Sequence, residues 1–538
     1  MASLPPPGGA GRPVIHGLLD RRPLEDDARS ASQHRARARR ACAWVLGCFA
    51  FVCVYFVGIF PGAADANQKS HYQLLRALGE RGTAEIEPEL RDFGSHSDVA
   101  VHAGRRFSNK GPGLSVAALP AYWVVRRFLP PPSSLGDWLV FYGSRVLSVT
   151  LVVVLAVAVL IRHALARLPT PSFLPLWLFA LLFATPFQVY ARSFFSHAFV
   201  AALLFLSFIL ATQHRGLSSS ATAGFLAAAA VATEYPVAVI ALCLLIAVAV
   251  RERPGRLAAF VAGAVPPAAA LAWYHVHYFG GVLHTPPAAS ESYVGVAGHG
   301  LVGISWPSLR AVAGLFFDPA HGMLYFSPFM VLWPIVAVAA LRRRKNDPSL
   351  LVPALGPLLL LLAISGYAPP HWRGGWGLGP RYLIAGLLLV FWLLVVRVPA
   401  GGTARGQTAL LAGLVYGAVI LAVSGSTFWL IPYEAWNPAR TVSLYLLGRG
   451  LVEFNLGVAA GLPPLVSLVP PLLACAVAFV AAVRGAKLRR LPLLAGTLAG
   501  LLAAAAVLSI PPSPTAVEHS RREDVANVLL PSMRSGWR

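Results

Sequence analysis

Residues 138–161, WLVFYGSRVLSVTLVVVLAVAVLI, form an apolar stretch that is long enough to cross a bilayer as an α-helix. A hydrocarbon core about 30 Å thick needs roughly 20 apolar residues of helix. Stretches of the same character recur along the chain, for example at 42–62, 322–341 and 407–430. The sequence therefore predicts an all-α polytopic membrane protein.

The composition of the 538-residue chain agrees with this prediction. Apolar residues make up 57% of it and charged residues 12%, which is about half the charge of an ordinary soluble domain. The net charge of +22 comes largely from arginines near the ends of the apolar stretches, where they orient helices and meet anionic lipid. Because no basic stripe with interleaved aromatic residues is present, we expect no nucleic-acid partner.

The arginine-rich junctions predict the orientation of the chain. A cytoplasmic N-terminus places the clusters that begin at Arg162, Arg251, Arg342 and Arg484 on the inside, as the positive-inside bias requires. The bias towards Arg, Ala, Gly and Pro indicates a bacterial protein, and hence the cell inner membrane. We predict about 13 transmembrane helices, at 42–62, 138–161, 171–190, 194–212, 220–233, 235–250, 257–277, 322–341, 349–367, 382–396, 407–430, 464–483 and 490–510.

This topology divides the chain into three parts. Residues 1–41 are expected to be a disordered basic cytoplasmic tail, 42–510 the membrane domain, and 511–538 an extracytoplasmic C-terminal tail. Most of the loop mass lies outside, beginning with the first extracytoplasmic loop at 63–137. In that loop, apolar residues at helical spacing predict an amphipathic helix over 67–80 at the membrane surface. We therefore expect the chemistry on the extracytoplasmic face.

Two residues of the first loop are candidates for chemistry. Asp65 stands just beyond the first membrane helix, where a carboxylate can take a proton from an acceptor hydroxyl; the alternative is a helix cap. Lys110 lies in SNKGPGL (108–114), just before a Gly-Pro-Gly turn. An ammonium held at the interface by such a turn suits a lipid-linked phosphate, and the alternative is a snorkelling lysine.

Further candidates stand at the outer ends of predicted helices, where ionisable groups usually mark a cavity or a partner. Arg373 and Arg381 are candidates for binding phosphate, and the Trp/Gly-rich stretch between them for stacking sugar faces. The alternative for each residue is an interhelical ion pair or an interfacial anchor. The candidates for a substrate pocket are His197, Glu234, Asp318, His371 and Trp376.

In their order and sidedness these elements resemble the bacterial GT-C superfamily of membrane glycosyltransferases, the relatives of protein O-mannosyltransferases and of the lipid A aminoarabinose transferase. The resemblance spans roughly residues 42–400. It is carried by the polar first loop with DVAVHAGRRFSNKGPGLSVAALPAY, and by GSRV with Arg145, SHAF, EYP and WGLGPRYL.

The resemblance implies transfer of a sugar from a polyprenyl-phosphate donor to a glycan, lipid or protein acceptor outside the cytoplasm, with inversion. It implies that an acid after the first helix, Asp65, is the base. Lys110 would hold the carrier phosphate together with Arg373 and Arg381. No cofactor is expected, since basic side chains can neutralise the leaving phosphate without a metal.

The chain departs from the family pattern at two places. It reads DANQ at 65–68 where the family has an acidic pair, so that Asn67 can hold the family position and Asp98 becomes the alternative base. Gly111 follows Lys110 where the family has proline, which we expect to loosen the turn.

Two other functions remain as alternatives. A non-catalytic flippase or transporter of lipid-linked glycans would have polar groups on both sides of the membrane and inside the bundle. A membrane acyltransferase with His197 as its base would need an acidic partner beside that histidine. No nucleotide-binding loop or nucleophile elbow occurs, so a nucleotide-driven pump and a serine hydrolase gain no support.

Overall fold

The computed structural model describes residues 22–58, 65–129, 134–293, 303–342, 348–369, 371–398, 402–486, 488–511 and 523–527. Within these ranges the chain is a bundle of α-helices joined by short 3₁₀- and π-helical turns, with one two-stranded sheet.

The α-helices of the described residues up to Ser509 are α1 Arg22–Tyr55, α2 Ala66–Arg81, α3 Glu87–Phe93, α4 Gly113–Arg127, α5 Ser134–Arg145, α6 Leu151–Arg167, α7 Leu174–Phe183, α8 Phe187–Ala191, α9 Ser196–Gln213, α10 Leu217–Thr233, α11 Ala238–Arg251, α12 Pro254–Phe279, α13 Leu309–Phe317, α14 Met323–Phe326, α15 Leu332–Arg342, α16 Leu351–Ser365, α17 Leu387–Arg397, α18 Ala404–Gly425, α19 Tyr445–Gly448, α20 Leu456–Ala459, α21 Val469–Ala486 and α22 Arg490–Ser509.

The helical membrane architecture predicted from the sequence is confirmed. Each of the thirteen predicted segments contains a helix, and the chain is a multi-pass membrane protein. The number of crossings stays a prediction. Seven described helical segments are long and apolar enough to span a membrane, namely Ser32–Tyr55, Gly136–Arg167, Ser196–Gln213, Pro254–Phe279, Ala404–Gly425, Val466–Ala486 and Arg490–Ser509.

The first helix differs from the expectation. Helix α1 already begins at Arg22, so residues 22–41, which we expected to be disordered, are helical. This segment is rich in alanine and arginine, which are among the strongest helix formers, and it continues directly into the apolar part of α1. Residues 1–21 of the expected tail lie outside the described residues, as does most of the C-terminal tail 511–538.

The first loop folds over one end of the bundle, here called the loop end. The predicted helix at 67–80 is confirmed as α2. Strands β1 (Val99–His102) and β2 (Arg105–Ser108) form an antiparallel hairpin that the sequence analysis did not predict. Its turn, Ala103-Gly104, has positive φ at both residues, as a tight hairpin requires. The hairpin places the segment after Ser108, with Lys110, beside the bundle.

Two buried arginines fix the loop end. Arg145, at the end of α5, donates to the carbonyl oxygens of Cys53 and Phe56 at 2.6 and 2.8 Å, which holds the end of α1. Arg192 forms an ion pair of 2.5 Å with Glu453, and both side chains are buried. Because a buried charge is tolerated only when it is paired, these contacts fix the polar segments above the bundle.

Candidate functional site

A cavity of ≈ 870 Å³ lies between the bundle and the first loop. Its walls come from α10, α11 and α12 and are mostly apolar, with alanine, valine and leucine side chains. Its other end is polar. The ionisable side chains that line it in the described part of the chain are Lys110, His197, Glu234, His275, His371 and Arg381.

The apolar part of the cavity reaches the outer surface of the bundle. Leu242 on α11 and Val261 on α12 both line the cavity, yet they are 55% and 46% exposed. Both helices are apolar, so this surface suits lipid acyl chains. The cavity is therefore amphiphilic, with a lipid-compatible side opening and a polar inner end.

Lys110 reaches the polar end because the turn after it packs against the end of α10. A Cβ atom on Gly111 would lie 2.7 Å from the carbonyl oxygen of Ala232, and one on Gly113 would lie 2.7 Å from the backbone nitrogen of Thr233. Only glycine permits such an approach of two backbones. Our expectation that glycine loosens the turn is therefore wrong: the missing side chains let the turn seat on the helix end.

Asp98 holds the ammonium group of Lys110. The Nζ–Oδ2 distance is 2.9 Å, and both side chains are largely buried. Asn109 donates its Nδ2 to the other carboxylate oxygen at 3.4 Å. Burial raises the pKa of Asp98, but the charge and hydrogen bond of Lys110 outweigh it, so the pKa lies below its usual value. Asp98 is thus ionised at neutral pH and suited to positioning the lysine.

Asp65 is buried and serves as the N-cap of α2, where it accepts the backbone N–H of Gln68 at 3.4 Å. This is the capping role considered as the alternative to a base. The residue that lines the cavity is Asn67, whose Oδ1 is buried without a hydrogen-bond partner among the described residues. Catalysis by Asp65 or Asp98 stays a prediction.

His197 and Glu234 meet at the polar end of the cavity. His197 Nδ1 lies 3.4 Å from Glu234 Oε1, and the hydroxyl of Ser196 donates to the same oxygen. The imidazole ring packs edge-on against Tyr190 and Tyr382. Its Nε2 has no hydrogen-bond partner in the described part of the chain.

Arg381 supplies the second cation of the cavity. Its Nη1 donates to the carbonyl oxygen of Trp376 at 3.2 Å, and its guanidinium lies 5.8 Å from the ring centre of Phe195. A Cβ on Gly374 would come within 2.9 Å of Arg381 Nε. The glycines of this stretch therefore give the arginine room.

Trp376 itself packs edge-on against Phe428 and is not among the described residues that line the cavity. Its expected role in stacking a sugar stays a prediction. Contacts of Asp318, Arg373 and His371 with a substrate also stay predictions.

Asp318 and Arg373 pair with each other beside the cavity. Arg373 donates to Asp318 Oδ2 from Nη2 at 2.8 Å and from Nε at 3.1 Å. Asp318 also accepts the backbone N–H of Ala320 at 2.8 Å, which fixes the turn after α13. Neither residue is among the described residues that line the cavity, whereas His371, at the start of the same loop, does line it.

Sequence reasoning did not place Tyr235, Tyr367 and His275 in the cavity. Tyr235, directly after Glu234, bonds through its hydroxyl to His275 Nε2 at 3.0 Å, and Tyr367 lines the same space. His275 Nδ1 is bonded to the carbonyl oxygen of Val282 at 2.8 Å. The position of Tyr235 in the EYP motif was the one available signal, since the other two residues approach only through the fold.

No family model and no curated protein matches the chain. Among solved structures, the chain is similar to ArnT from Cupriavidus metallidurans in the apo state, with 17% identity over 85% of this chain and 76% of that one and a TM-score of 0.44. The chain is also similar to ArnT from Cupriavidus metallidurans bound to undecaprenyl phosphate, with 14% identity over 87% of this chain and 78% of that one and a TM-score of 0.47.

The chain is also similar to the arabinosyltransferase EmbB from Mycobacterium smegmatis, with 15% identity over 91% of this chain and 41% of that one and a TM-score of 0.39. ArnT and EmbB are GT-C glycosyltransferases, the superfamily that the sequence resembles.

Proposed function

We propose that this chain is an integral-membrane glycosyltransferase that moves a sugar from a polyprenyl-phosphate donor to an acceptor hydroxyl on the extracytoplasmic face of a bacterial inner membrane, with inversion. The observation that carries the proposal is the amphiphilic cavity. Its apolar walls open sideways at Leu242 and Val261, and its polar end holds Lys110 and Arg381. A prenyl phosphate has the same two parts, an apolar chain and an anionic head.

The size and charge of the cavity fit this donor. Sites for small molecules typically measure about 300–1,000 Å³, so ≈ 870 Å³ accommodates a phosphosugar with the first part of its chain. An ammonium and a guanidinium make charge-assisted hydrogen bonds to phosphate oxygens. Lys110, held by Asp98 before any substrate binds, is preorganised for this contact.

In the proposed reaction the acceptor hydroxyl gives its proton to a base, for which Asp65 and Asp98 are the predicted candidates. Its oxygen attacks the anomeric carbon of the sugar, while the bond from that carbon to the phosphate oxygen breaks. The electron pair of this bond leaves with the polyprenyl phosphate, which gains a negative charge. Lys110 and Arg381 stabilise that charge, and fixed cations of this kind act most strongly where water is excluded. Attack opposite the leaving phosphate gives inversion.

A flippase or transporter is the less favoured alternative. It would need polar groups along a path through the bundle, whereas the ionisable residues of this cavity gather at one end and its walls towards α11 and α12 are apolar. Vesicles that hold the protein and a labelled lipid-linked sugar separate the two functions, because a flippase moves the label between leaflets without transferring the sugar.

The structure also supplies a feature that an acyltransferase would need, because Glu234 is an acidic partner beside His197. The two cations in the cavity favour a phosphate-linked donor over an acyl thioester. Acyl transfer from an acyl-CoA or acyl lipid, with no sugar transfer, would make this second function the correct one.

The experiment uses the full chain purified into lipid nanodiscs. Radiolabelled undecaprenyl-phosphate hexoses and pentoses are presented with bacterial glycolipid and protein acceptors; the carrier is the lipid named for the Cupriavidus structure. We expect transfer by the natural chain and a loss of about 10²–10³-fold in Lys110→Ala. Arg106→Ala, which removes an exposed cation from the same hairpin, is the matched control. Equal transfer by both variants would remove Lys110 from the site.

A further inference from the structure

The carboxylate of Glu234 is open to the cavity. Its side chain lines the cavity and is 18% exposed, compared with 2% for the neighbouring His197. Oε1 accepts a hydrogen bond from the hydroxyl of Ser196, whereas Oε2 accepts none from the described residues and is not sealed from solvent. Because an ionised carboxylate has about four lone-pair sites, Oε2 can accept a hydrogen bond from a ligand in the cavity.

A break between two helices fixes the position of this carboxylate. Helix α10 ends at Thr233, and Glu234 has an extended backbone with φ −141° and ψ 105°. Pro236 follows in a short 3₁₀ turn, where its missing N–H could not continue α10. The backbone N–H of Glu234 still donates to the carbonyl oxygen of Ala230 at 2.9 Å, and Ser196 holds the side chain. The carboxylate is therefore positioned before any ligand binds.

The charges around Glu234 show that it is not there to neutralise a lysine. Lys110 and Arg381 line the same cavity and act electrostatically on Glu234, but Lys110 already has the carboxylate of Asp98 at 2.9 Å. Glu234 is the carboxylate residue that lines the cavity in the described part of the chain. Since like charges repel, a carboxylate near a phosphate site opposes phosphate binding, so it must serve another part of the ligand.

A polyprenyl-phosphate sugar has three parts, and only one of them suits Glu234. The prenyl chain matches the apolar side opening, and the phosphate matches the two cations. The sugar is the part of the donor that carries hydroxyl groups, which donate hydrogen bonds to a carboxylate. With the other two parts placed, the sugar takes the remaining polar space, which Glu234 lines.

We infer that Glu234 selects the donor sugar: its Oε2 accepts a hydrogen bond from a sugar hydroxyl, and its negative charge excludes acidic sugars such as uronic acids. The inference rests on the proposed function and deepens it, because it names the class of sugar. A hydrogen bond to a charged group is stronger than one between neutral groups, and its loss corresponds to about 10- to 100-fold in affinity.

The test measures binding to the full chain in nanodiscs without any acceptor, so that no transfer occurs and an acceptor hydroxyl cannot be the partner. The ligands are undecaprenyl phosphate, the same carrier with a neutral hexose, and the carrier with the corresponding hexuronic acid. Glu234→Gln should weaken binding of the hexose donor by about 10- to 100-fold and tighten binding of the hexuronic acid donor. Binding of the bare carrier should stay the same or become a few-fold tighter, because a negative charge near its phosphate is removed.

Two further variants complete the test. Glu252→Gln is the matched control, since Glu252 pairs with Arg256 and is not among the described residues that line the cavity; it should bind all three ligands like the natural chain. Ser196→Ala keeps the charge of Glu234 but removes the hydroxyl that positions it. We expect it to bind the hexose donor more weakly, by a smaller factor, and still to exclude the hexuronic acid donor.

The outcomes distinguish this inference from the proposed function. If Glu234→Gln binds the two sugar donors like the natural chain, Glu234 does not select the sugar, and the glycosyltransferase stands. Equal weakening of all three ligands also overturns the inference, because it indicates damage to the cavity and not selection. If the natural chain binds the hexose donor but transfers no sugar to any acceptor, the transferase activity is wrong, whereas the measured sugar contact remains.

Discussion

The Nζ of Lys110 lies 2.9 Å from Oδ2 of Asp98, and this ion pair joins the strand side of the first loop to the turn that seats on α10. The lysine therefore has a fixed position before any phosphate binds. Under the proposed function, binding of the donor phosphate would therefore require little further ordering of this side chain, because the ordering has already occurred during folding.

The first prediction concerns this pair and pH. Asp98→Asn leaves a largely buried ammonium without its carboxylate, so we expect a loss of about 3–5 kcal/mol in the free energy of unfolding and slower transfer. The pKa of Asp98 is lowered in the folded chain, from an ordinary value of 3.8, so its stabilising effect is complete above that value and disappears as pH falls through the folded pKa.

Thermal denaturation in detergent at several pH values checks this prediction. The natural chain should exceed Asp98→Asn in melting temperature throughout the neutral range, and the two curves should converge only at pH values below 3.8. Convergence at neutral pH would show that the ion pair does not stabilise the fold.

The second prediction concerns the turn after Lys110. Gly113→Ala would place a methyl group 2.7 Å from the backbone nitrogen of Thr233, so the turn must withdraw from α10 at a cost of about 1–3 kcal/mol. We expect loss of carrier binding and transfer. Gly47→Ala, on α1 where a Cβ meets nothing within 4 Å, should be harmless because alanine favours helix over glycine. Equal carrier binding by the two variants would contradict the proposed seating.

The third prediction concerns the side opening. Leu242→Trp should narrow the path for a prenyl chain, and an overpacking cost of about 1–3 kcal/mol corresponds to roughly 5- to 150-fold weaker binding. A donor with a short soluble chain should bind unchanged. Leu473→Trp is the control, since Leu473 on α21 is similarly exposed. If Leu242→Trp weakens the binding of long-chain and short-chain donors equally, the prenyl chain does not pass through this opening.

The fourth prediction concerns the buried pair Arg192–Glu453. Glu453→Ala leaves Arg192 buried without its carboxylate, so we expect about 3–5 kcal/mol of destabilisation, measured by chemical or thermal denaturation. Glu87→Ala removes an ion pair of 3.5 Å with Arg106 in which both side chains are more than a third exposed, and such surface pairs contribute at most about 1 kcal/mol. Similar losses in both variants would show that burial is not decisive.

Much of this architecture follows from local sequence. Long apolar runs predict helices because only a helix satisfies its own backbone in lipid, and the Gly-Pro-Gly turn pointed to Lys110. Glu234 could be selected because a carboxylate between two apolar stretches is costly without a purpose. These signals lie within a few residues of the positions they concern.

The pairings at the site could not be predicted, because they join distant parts of the chain. Lys110 meets the end of α10 only after the loop folds back, and Arg373 and Arg381, close in sequence, receive different partners. The mistaken expectation for Gly111 has the same origin. A glycine without neighbouring atoms makes a turn flexible, whereas a glycine that lies against a helix end permits close packing. Likewise, the sequence does not show that Asp65 caps the start of α2 whereas Asn67, two residues later, lines the cavity.

The side opening at Leu242 and Val261 also affects how the rate of encounter between the protein and its lipid donor should be measured. A lipid that enters through the flank of the protein travels in the plane of the bilayer, so its supply depends on molecules per unit of membrane and not per unit of solution. Diluting the sample with detergent or inert phospholipid should therefore slow the reaction even when the total amounts of protein and substrate stay the same.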